Sequence, residues 1–138
     1  MFIQLGSTID GADSSDYEAN AVALSSDGMK VAIGVVSQND IVTYYSRYVR
    51  GFLVDGLTWN RLGQDILGPP RKHHLFGLAF AFSAGDNMLA IATPPNNSKM
   101  RGYVSFYTFD GISWIRVADD IVGDVNGDRF GKQGNCPQ

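Results

Sequence analysis

The chain repeats itself, and this repeat constrains its fold more than any other feature. Residues 55–59 (Asp-Gly-Leu-Thr-Trp) return 55 positions later as residues 110–114 (Asp-Gly-Ile-Ser-Trp). Residues 23–34 return as residues 81–92, at an offset of 58, with a polar turn between two apolar segments in both copies. A unit that cannot bury its apolar face alone becomes stable when copies of it stack. We therefore expect two similar units that pack against each other.

A shorter pattern marks the end of each unit. Residues 60–63 (Asn-Arg-Leu-Gly) are echoed by residues 3–6 (Ile-Gln-Leu-Gly) and, more loosely, by residues 115–118 (Ile-Arg-Val-Ala). Phe2 then stands at the position that Trp59 and Trp114 hold in the copies. The chain is predicted to open on the last strand of a preceding unit.

Each unit is predicted to contain four short antiparallel strands. The Asp-Gly pairs at residues 27–28, 55–56 and 110–111 are suited to the positive φ angles of hairpin turns, and strand-forming residues flank them. No stretch combines helical periodicity with helix caps, and 16 glycines are typical of a chain with many tight turns. The predicted strands are residues 20–26, 29–36, 47–54 and 58–63 in the first unit, and 78–83, 88–93, 102–109 and 113–118 in the second. The sequence predicts an all-β fold.

Tandem four-stranded antiparallel units of about 55–60 residues are typical of β-propeller blades. We predict a partial β-propeller, and because closed propellers have about four to eight blades, we expect a fragment of a longer protein or protomers that complete a ring. The isolated chain is expected to associate or to be marginally stable. The predicted parts are tandem repeats over residues 1–131, divided into the end of a preceding blade (1–16), two blades (17–65 and 76–120) and the start of a third unit (121–131), and then an irregular tail (132–138).

One pair of segments resembles a known repeat family. Phe76-Gly77, followed across a hairpin by Ala92-Thr93-Pro94, is similar to the FG-GAP repeat of integrin α-subunit propellers, and Phe130-Gly131 begins a further copy. In the first unit, Glu18-Ala19 and Gly34-Val35-Val36 stand at the corresponding positions. The hairpin at residues 25–28 is also similar to WD-type propeller repeats. The resemblance implies an extracellular or cell-surface protein that binds other molecules without catalysing a reaction.

Charge and hydropathy exclude several classes of partner. The net charge is −3, with 11 basic and 14 acidic residues intermixed, so we expect no nucleic-acid partner. The apolar runs are far shorter than the about 20 residues that cross a bilayer as a helix, and residues 1–10 lack the basic start and apolar core of a signal peptide. We expect no membrane span and no signal peptide in this chain.

Asp124, Asn126 and Asp128 are the candidate metal ligands. Their oxygen side chains stand at alternate positions, as at the start of a calcium loop. However, Arg129 takes the place of the glycine that such a loop needs, and no bidentate Glu follows. We therefore expect an ordinary acidic turn, no bound calcium and no cofactor.

Other reactive residue types lack the neighbours that chemistry would need. His73 and His74 are adjacent, so in an extended segment their imidazoles point apart, and the chain has no further histidine. Cys136 lacks a histidine placed by any recognisable motif. Residues 96–98 (Asn-Asn-Ser) form a glycosylation sequon that matters if the chain is exported.

These observations predict a non-catalytic interaction module for a protein or glycan ligand, with the remaining blades of a longer chain or a second copy as further partners. One alternative is the scaffold part of a propeller enzyme whose catalytic groups come from other blades. Another is a lectin-like carbohydrate binder that stacks sugars on an aromatic cluster. That cluster consists of Tyr44, Tyr45 and Tyr48.

Overall fold

The computed structural model of the protein describes residues 2–10, 16–39, 44–68, 76–77, 79–85, 87–94 and 101–125. For residues 16–20, 36–39 and 44–47 the description covers the backbone. The described residues form strands, turns and extended segments and contain no helix, so the all-β prediction is confirmed.

The strands form two antiparallel sheets, each a meander of four successive strands with one short extra strand. In the first sheet the order is β1-β2-β3-β4, and β5 also pairs with β3. Its strands are β1 (Asp16–Leu24), β2 (Lys30–Asn39), β3 (Tyr44–Asp55), β4 (Thr58–Arg61) and β5 (Ile66–Leu67). In the second sheet the order is β10-β8-β7-β6, and β9 also pairs with β8. Its strands are β6 (Ala79–Phe82), β7 (Met88–Thr93), β8 (Tyr103–Phe109), β9 (Trp114–Arg116) and β10 (Ile121–Val122).

Strand pairing reproduces the sequence repeat. Val31 is opposite Phe52 in the first sheet, and Leu89 is opposite Tyr107 in the second. These pairs are related by the same offsets, 58 and 55, that relate the two copies in the sequence. The two sheets are therefore equivalent residue by residue where both are described, over β2 with β7, β3 with β8, β4 with β9 and β5 with β10.

The hairpin turns follow from their Asp-Gly sequences. Gly28, Gly56 and Gly111 have φ angles of 74°, 62° and 102°, in the region that favours glycine. The Asp110 carboxylate accepts the backbone N–H groups of Ser113 and Ile112 at 2.7 and 2.8 Å, and these bonds lower the pKa of the carboxyl. The turn is thus closed by its own first side chain.

The fourth strand of each sheet is shorter than the sequence predicted. Strand β4 ends at Arg61, two residues before the predicted end, because Gly63 has a φ of 72° and turns the chain before β5 begins. Strand β9 likewise ends at Arg116. Each outer edge is therefore two short strands, β4 with β5 and β9 with β10, separated by a turn.

The two sheets stack face to face around one apolar core. The core joins buried residues of the first sheet (Ala32, Val49, Leu62 and Ile66) to buried residues that follow them in the chain (Phe76, Leu89, Ile91 and Trp114). Gly34 lies where the backbones approach most closely, since a Cβ atom there would be 2.6 Å from the Gly77 carbonyl oxygen. Small residues at this position are a steric requirement of the stacking.

We predict that Gly34→Ala lowers the free energy of unfolding by about 1–3 kcal/mol, the usual cost of inserting a methyl group into a packed core. The methyl group would collide with backbone, which cannot rotate away as a side chain can. Gly85→Ala is the matched control, because the nearest atom to its added Cβ is 3.8 Å away, in the Asn87 side chain. Urea unfolding measures both. Equal stability of the two variants would contradict the stacking described above.

Candidate functional site

A left-handed turn recurs at three places in the chain: after β4, after β9 and within residues 2–10, where the structure describes no strand. Gly6, Gly63 and Ala118 have φ angles of 71°, 72° and 62°, and they occupy equivalent positions in the sequence repeat. Ala118 is the one described residue other than glycine with a positive φ. We call these three residues the turn positions.

At two turn positions a tryptophan from the following sheet closes the contact. Trp114 Nε1 donates a hydrogen bond to the Leu62 carbonyl at 2.7 Å, and Trp59 Nε1 donates to the Leu5 carbonyl at 3.1 Å. The acceptor in each case is the residue just before a turn-position glycine. We call this arrangement the tryptophan contact; it joins the first sheet to the second and residues 2–10 to the first sheet.

Gln64 reinforces the contact between the sheets. Its side-chain amide donates to the Trp114 carbonyl at 2.8 Å, and its side-chain oxygen accepts the Trp114 backbone N–H at 2.9 Å. The Phe109 ring packs against the indole of Trp114 with a centroid separation of 5.4 Å. Trp114 is therefore fixed through its ring, its indole N–H and its backbone.

The indoles leave no room for a side chain at the turn positions they contact. A Cβ atom on Gly6 would lie 2.6 Å from Trp59 Nε1, and one on Gly63 would lie 3.0 Å from Trp114 Cδ1 and 2.9 Å from Phe109 Cε1. Carbon atoms in favourable contact are about 3.5–4.0 Å apart. Glycine is thus required there for two reasons, the positive φ and the close approach of the ring.

The turn positions in the two sheets give a matched pair of substitutions. Gly63→Ala is predicted to lower the free energy of unfolding by about 2–4 kcal/mol, because overpacking adds to the cost of a left-handed alanine. The reverse change, Ala118→Gly, is predicted to be neutral or to stabilise by up to about 1 kcal/mol by relieving that backbone strain. Chemical denaturation of both variants is the measurement. Losses of similar size in the two would contradict this assignment.

Ion pairs with the same spacing hold both outer edges. Arg61 Nη2 is 2.7 Å from Asp65 Oδ1, and Arg116 Nη2 is 2.5 Å from Asp120 Oδ1. The two pairs are equivalent in the repeat, and each spans the turn between the two outer strands. They tie the ends of the turn together on each sheet.

The pair in the first sheet is extended by a buried arginine. Arg50 Nε and Nη2 donate to the two oxygens of Asp65 at 2.7 and 2.8 Å, and the guanidinium lies 4.9 Å from the ring centroid of Tyr48. Burial alone would raise the pKa of the Asp65 carboxyl, but the hydrogen bonds and charge of Arg50, with the charge of Arg61, hold it below the ordinary 3.8. In the second sheet the counterpart of Arg50 is the buried Ser105, so this extension is absent there.

Asp65→Asn is predicted to destabilise the protein by about 1–3 kcal/mol at neutral pH, because a buried guanidinium loses its charged acceptor. The folded pKa lies below the unfolded value of about 3.9, so the wild-type contribution is complete above about pH 5 and is lost as pH falls through the folded pKa. Urea unfolding between pH 6 and pH 3 should therefore show the two proteins converging in acid. Asp55→Asn, in an exposed hairpin turn, is the control; a constant difference across the pH range would contradict the ion-pair assignment.

Strand β8 carries two tyrosines whose phenols are not activated for proton transfer. Tyr103 and Tyr107 are half-buried, and their burial raises the pKa of both phenols above the ordinary 10.0. Arg116 opposes this effect in both, and the negative charge of Asp120 adds to it. Both phenols are neutral at physiological pH, and Tyr107 packs against the core.

The residues proposed from the sequence as sites are partly outside the described residues. Asp124 is exposed on the segment after β10. Tyr44 and Tyr45 are placed by their backbone in β3, opposite Asn39 and Gln38. Among the residues whose side chains are described, no three His, Cys, Asp or Glu side chains are grouped so that they could hold a metal ion. The residues outside the described set are Asn126, Asp128, His73, His74, Cys136, Phe130, Gly131 and residues 96–98.

The side of the second sheet that faces away from the first is apolar. Leu89 and Ile91 point into the core, so the alternation of side chains places Ala90 and Ala92 on the opposite side. Cross-strand partners of those residues share their side. We call this set the far face: Ala79, Ala81, Met88, Ala90, Ala92, Val104, Phe106, Thr108, Ile115 and Ile121.

Comparison with known proteins found no match to this chain among protein-family models, curated proteins or solved structures. Within the part of the chain that the structure describes, no helix is long and apolar enough to cross a membrane. The candidate site consists of the two tryptophan contacts, the two ion-paired outer edges and the far face.

Proposed function

We propose that this chain is a non-catalytic interaction module, part of a β-propeller of the FG-GAP type in an extracellular or cell-surface protein, and that it binds its partner through the far face. One comparison carries the proposal. Ile66 of the first sheet is 4% exposed and belongs to the core shared by the two sheets, whereas its repeat counterpart Ile121 is 53% exposed. The far face is the repeat counterpart of the first-sheet surface that packs against the second sheet. Its residues are mostly apolar, as at the core of a protein interface.

The propeller part of the proposal is supported by how the sheets are arranged. The first strands, β1 and β6, approach each other, as the innermost strands of neighbouring blades do around a central channel. At the other end of the stack, Trp114 joins the outer strand of the second sheet to the end of the outer strand of the first. The contact thus extends from the first strand of each sheet to the last.

The FG-GAP part is supported by the place of the motif residues. Phe76 is buried in the core, and Gly77 has a φ of 74° with its Cα turned toward Val49, where an added Cβ would be 3.0 Å from the valine Cγ2. Thr93 and Pro94 are buried at the end of β7. In the first unit, the corresponding Glu18-Ala19 lies at an irregularity in the pairing of β1 with β2. The motif acts at the contact between sheets.

The non-catalytic part of the proposal is supported by the contacts of the described aspartates. Asp65 and Asp120 are engaged by arginines across the outer-edge turns. Asp27 accepts hydrogen bonds from Ser25 Oγ and the Met29 N–H, which lower its carboxyl pKa, and Asp110 closes the next hairpin in a similar way. These carboxylates serve turns and edges, and the lowered pKa values of Asp27, Asp65 and Asp110 favour the charged form over a proton-transferring one.

Site-specific photo-crosslinking in the cells that produce the protein tests the proposal. A benzophenone amino acid at position 121, on the far face, should yield one discrete protein adduct. The same amino acid at position 57 should yield none, because Leu57 is 84% exposed but lies on a hairpin turn away from the far face. No adduct from position 121, or equal adducts from both positions, would contradict a binding role for the far face.

A further inference from the structure

We infer that Asp55 is a modification site at which the backbone isomerises from aspartate to isoaspartate, and that Asp27 and Asp110 are protected from the same reaction. Each of the three aspartates is exposed and precedes a glycine with a positive φ in a hairpin turn. Because glycine has no side chain, its backbone nitrogen can approach the preceding carboxyl group closely. The three turns are therefore candidates of the same chemical kind.

The reaction needs no reagent except water. The backbone nitrogen of Gly56 attacks the side-chain Cγ of Asp55, an N–Cγ bond forms, and the carboxyl OH leaves with the amide hydrogen as water. The product is a succinimide. Water then adds its OH to the main-chain carbonyl carbon of Asp55 and its hydrogen to the nitrogen, as the bond between that carbon and that nitrogen breaks. The chain now runs through Cβ and Cγ, and the former main-chain carbonyl has become a free carboxyl group.

Hydrogen bonds restrain the reacting groups at Asp27 and Asp110. The Asp27 carboxylate accepts from Ser25 Oγ at 2.6 Å and from the Met29 N–H at 2.9 Å. The attacking group there, the Gly28 N–H, donates to the Ser25 carbonyl at 2.9 Å. The Asp110 carboxylate accepts two backbone N–H groups at 2.7 and 2.8 Å. These bonds lower the pKa of both carboxyls, and the charged form that they favour is a poorer electrophile than the neutral acid.

The turn at Asp55 lacks these restraints. Among the described residues, neither the Asp55 carboxylate nor the Gly56 N–H takes part in a hydrogen bond. The Thr58 hydroxyl donates to the Asp55 carbonyl at 3.5 Å, which leaves the carboxylate free to turn toward the nitrogen. Steric hindrance does not distinguish the three turns, because a Cβ atom added to any of their glycines would meet no atom within 4 Å. The hydrogen bonds of the carboxylate are the difference.

The comparison of Asp55 with Asp110 separates the effect of structure from that of sequence. The two residues are counterparts in the repeat, and they begin the closely similar segments Asp-Gly-Leu-Thr-Trp and Asp-Gly-Ile-Ser-Trp. In an unfolded chain both should isomerise at nearly the same rate. A difference between them in the folded protein therefore reports the conformation of the two turns.

Isomerisation at Asp55 would change the strand pair that positions one tryptophan contact. It lengthens the backbone between β3 and β4 by one methylene group. Val54 and Trp59 are the next pair beyond the turn, and the Trp59 indole donates to the Leu5 carbonyl at 3.1 Å. The modification therefore acts beside the contact that joins residues 2–10 to the first sheet.

Incubation of the purified chain in mildly acidic buffer, followed by proteolysis and mass-spectrometric peptide mapping, tests the inference. A protein isoaspartyl methyltransferase labels the isoaspartate in each peptide. Since two hydrogen bonds to the carboxylate must break before attack, Asp27 and Asp110 should react about tenfold or more slowly than Asp55. In concentrated urea the three rates should converge. Mapping also separates these peptides from those with Asp10-Gly11 and Asn126-Gly127, two pairs that extend outside the described residues.

Asp55→Glu is the control that locates the reaction. It keeps the negative charge but would have to close a larger ring, so it should remove the label at this position and leave the other peptides unchanged. Near-ultraviolet circular dichroism checks that both proteins are folded. Equal isoaspartate at Asp55 and Asp110 in the folded protein would overturn the inference. The absence of isoaspartate at Asp55, over a time in which the chain reacts in urea, would overturn it as well.

Discussion

The hydrogen bond from an indole N–H to a carbonyl of the preceding unit is the interaction on which the rest of this structure depends. Trp114 meets the Leu62 carbonyl, and Trp59 meets the Leu5 carbonyl in the same way. Each bond requires a glycine in a left-handed conformation beside the acceptor. Gly63 also ends the outer edge strand β4 and lies in the turn that the Arg61–Asp65 ion pair spans. The repeated contact therefore joins the second sheet to the first and residues 2–10 to the first sheet, whereas the turn and the ion pair after β9 form without an indole.

The sequence repeat was sufficient to predict the four main strands of each sheet, the Asp-Gly hairpins and the pairing of two similar units. The strand predicted at the start of the chain is not formed in residues 2–10. It did not predict the division of each outer strand, because no local pattern records the left-handed turns at Gly63 and Ala118. The tryptophan that excludes a side chain at Gly63 is 51 positions away in the chain. The ion pair between Arg50 and Asp65 was also missed, since it arises from the pairing of β5 with β3. A signal was present, however: Arg61 and Asp65 recur at the same spacing as Arg116 and Asp120.

The two units differ on the surface of each sheet that faces the next sheet along the chain. Equivalent positions have kept their structural chemistry, with tryptophan, arginine and aspartate at both outer edges. On the side of each sheet that faces onward, Gly51 and Gly63 of the first unit are replaced by Phe106 and Ala118 in the second. A repeat that only propagated itself would need glycine at both places. The second sheet therefore presents a modified form of the stacking surface.

The central claim is that the tryptophan contact between the sheets is a permanent part of the folded core. Hydrogen exchange of the two indole N–H groups, followed by NMR, tests it directly. Trp114 is 5% exposed and fixed at four points, so its indole N–H should exchange only when the protein unfolds, with a free energy close to that of global unfolding. The Trp59 indole N–H, at the exposed contact with Leu5, should exchange by local opening and much faster. Equally fast exchange of both groups would contradict the account.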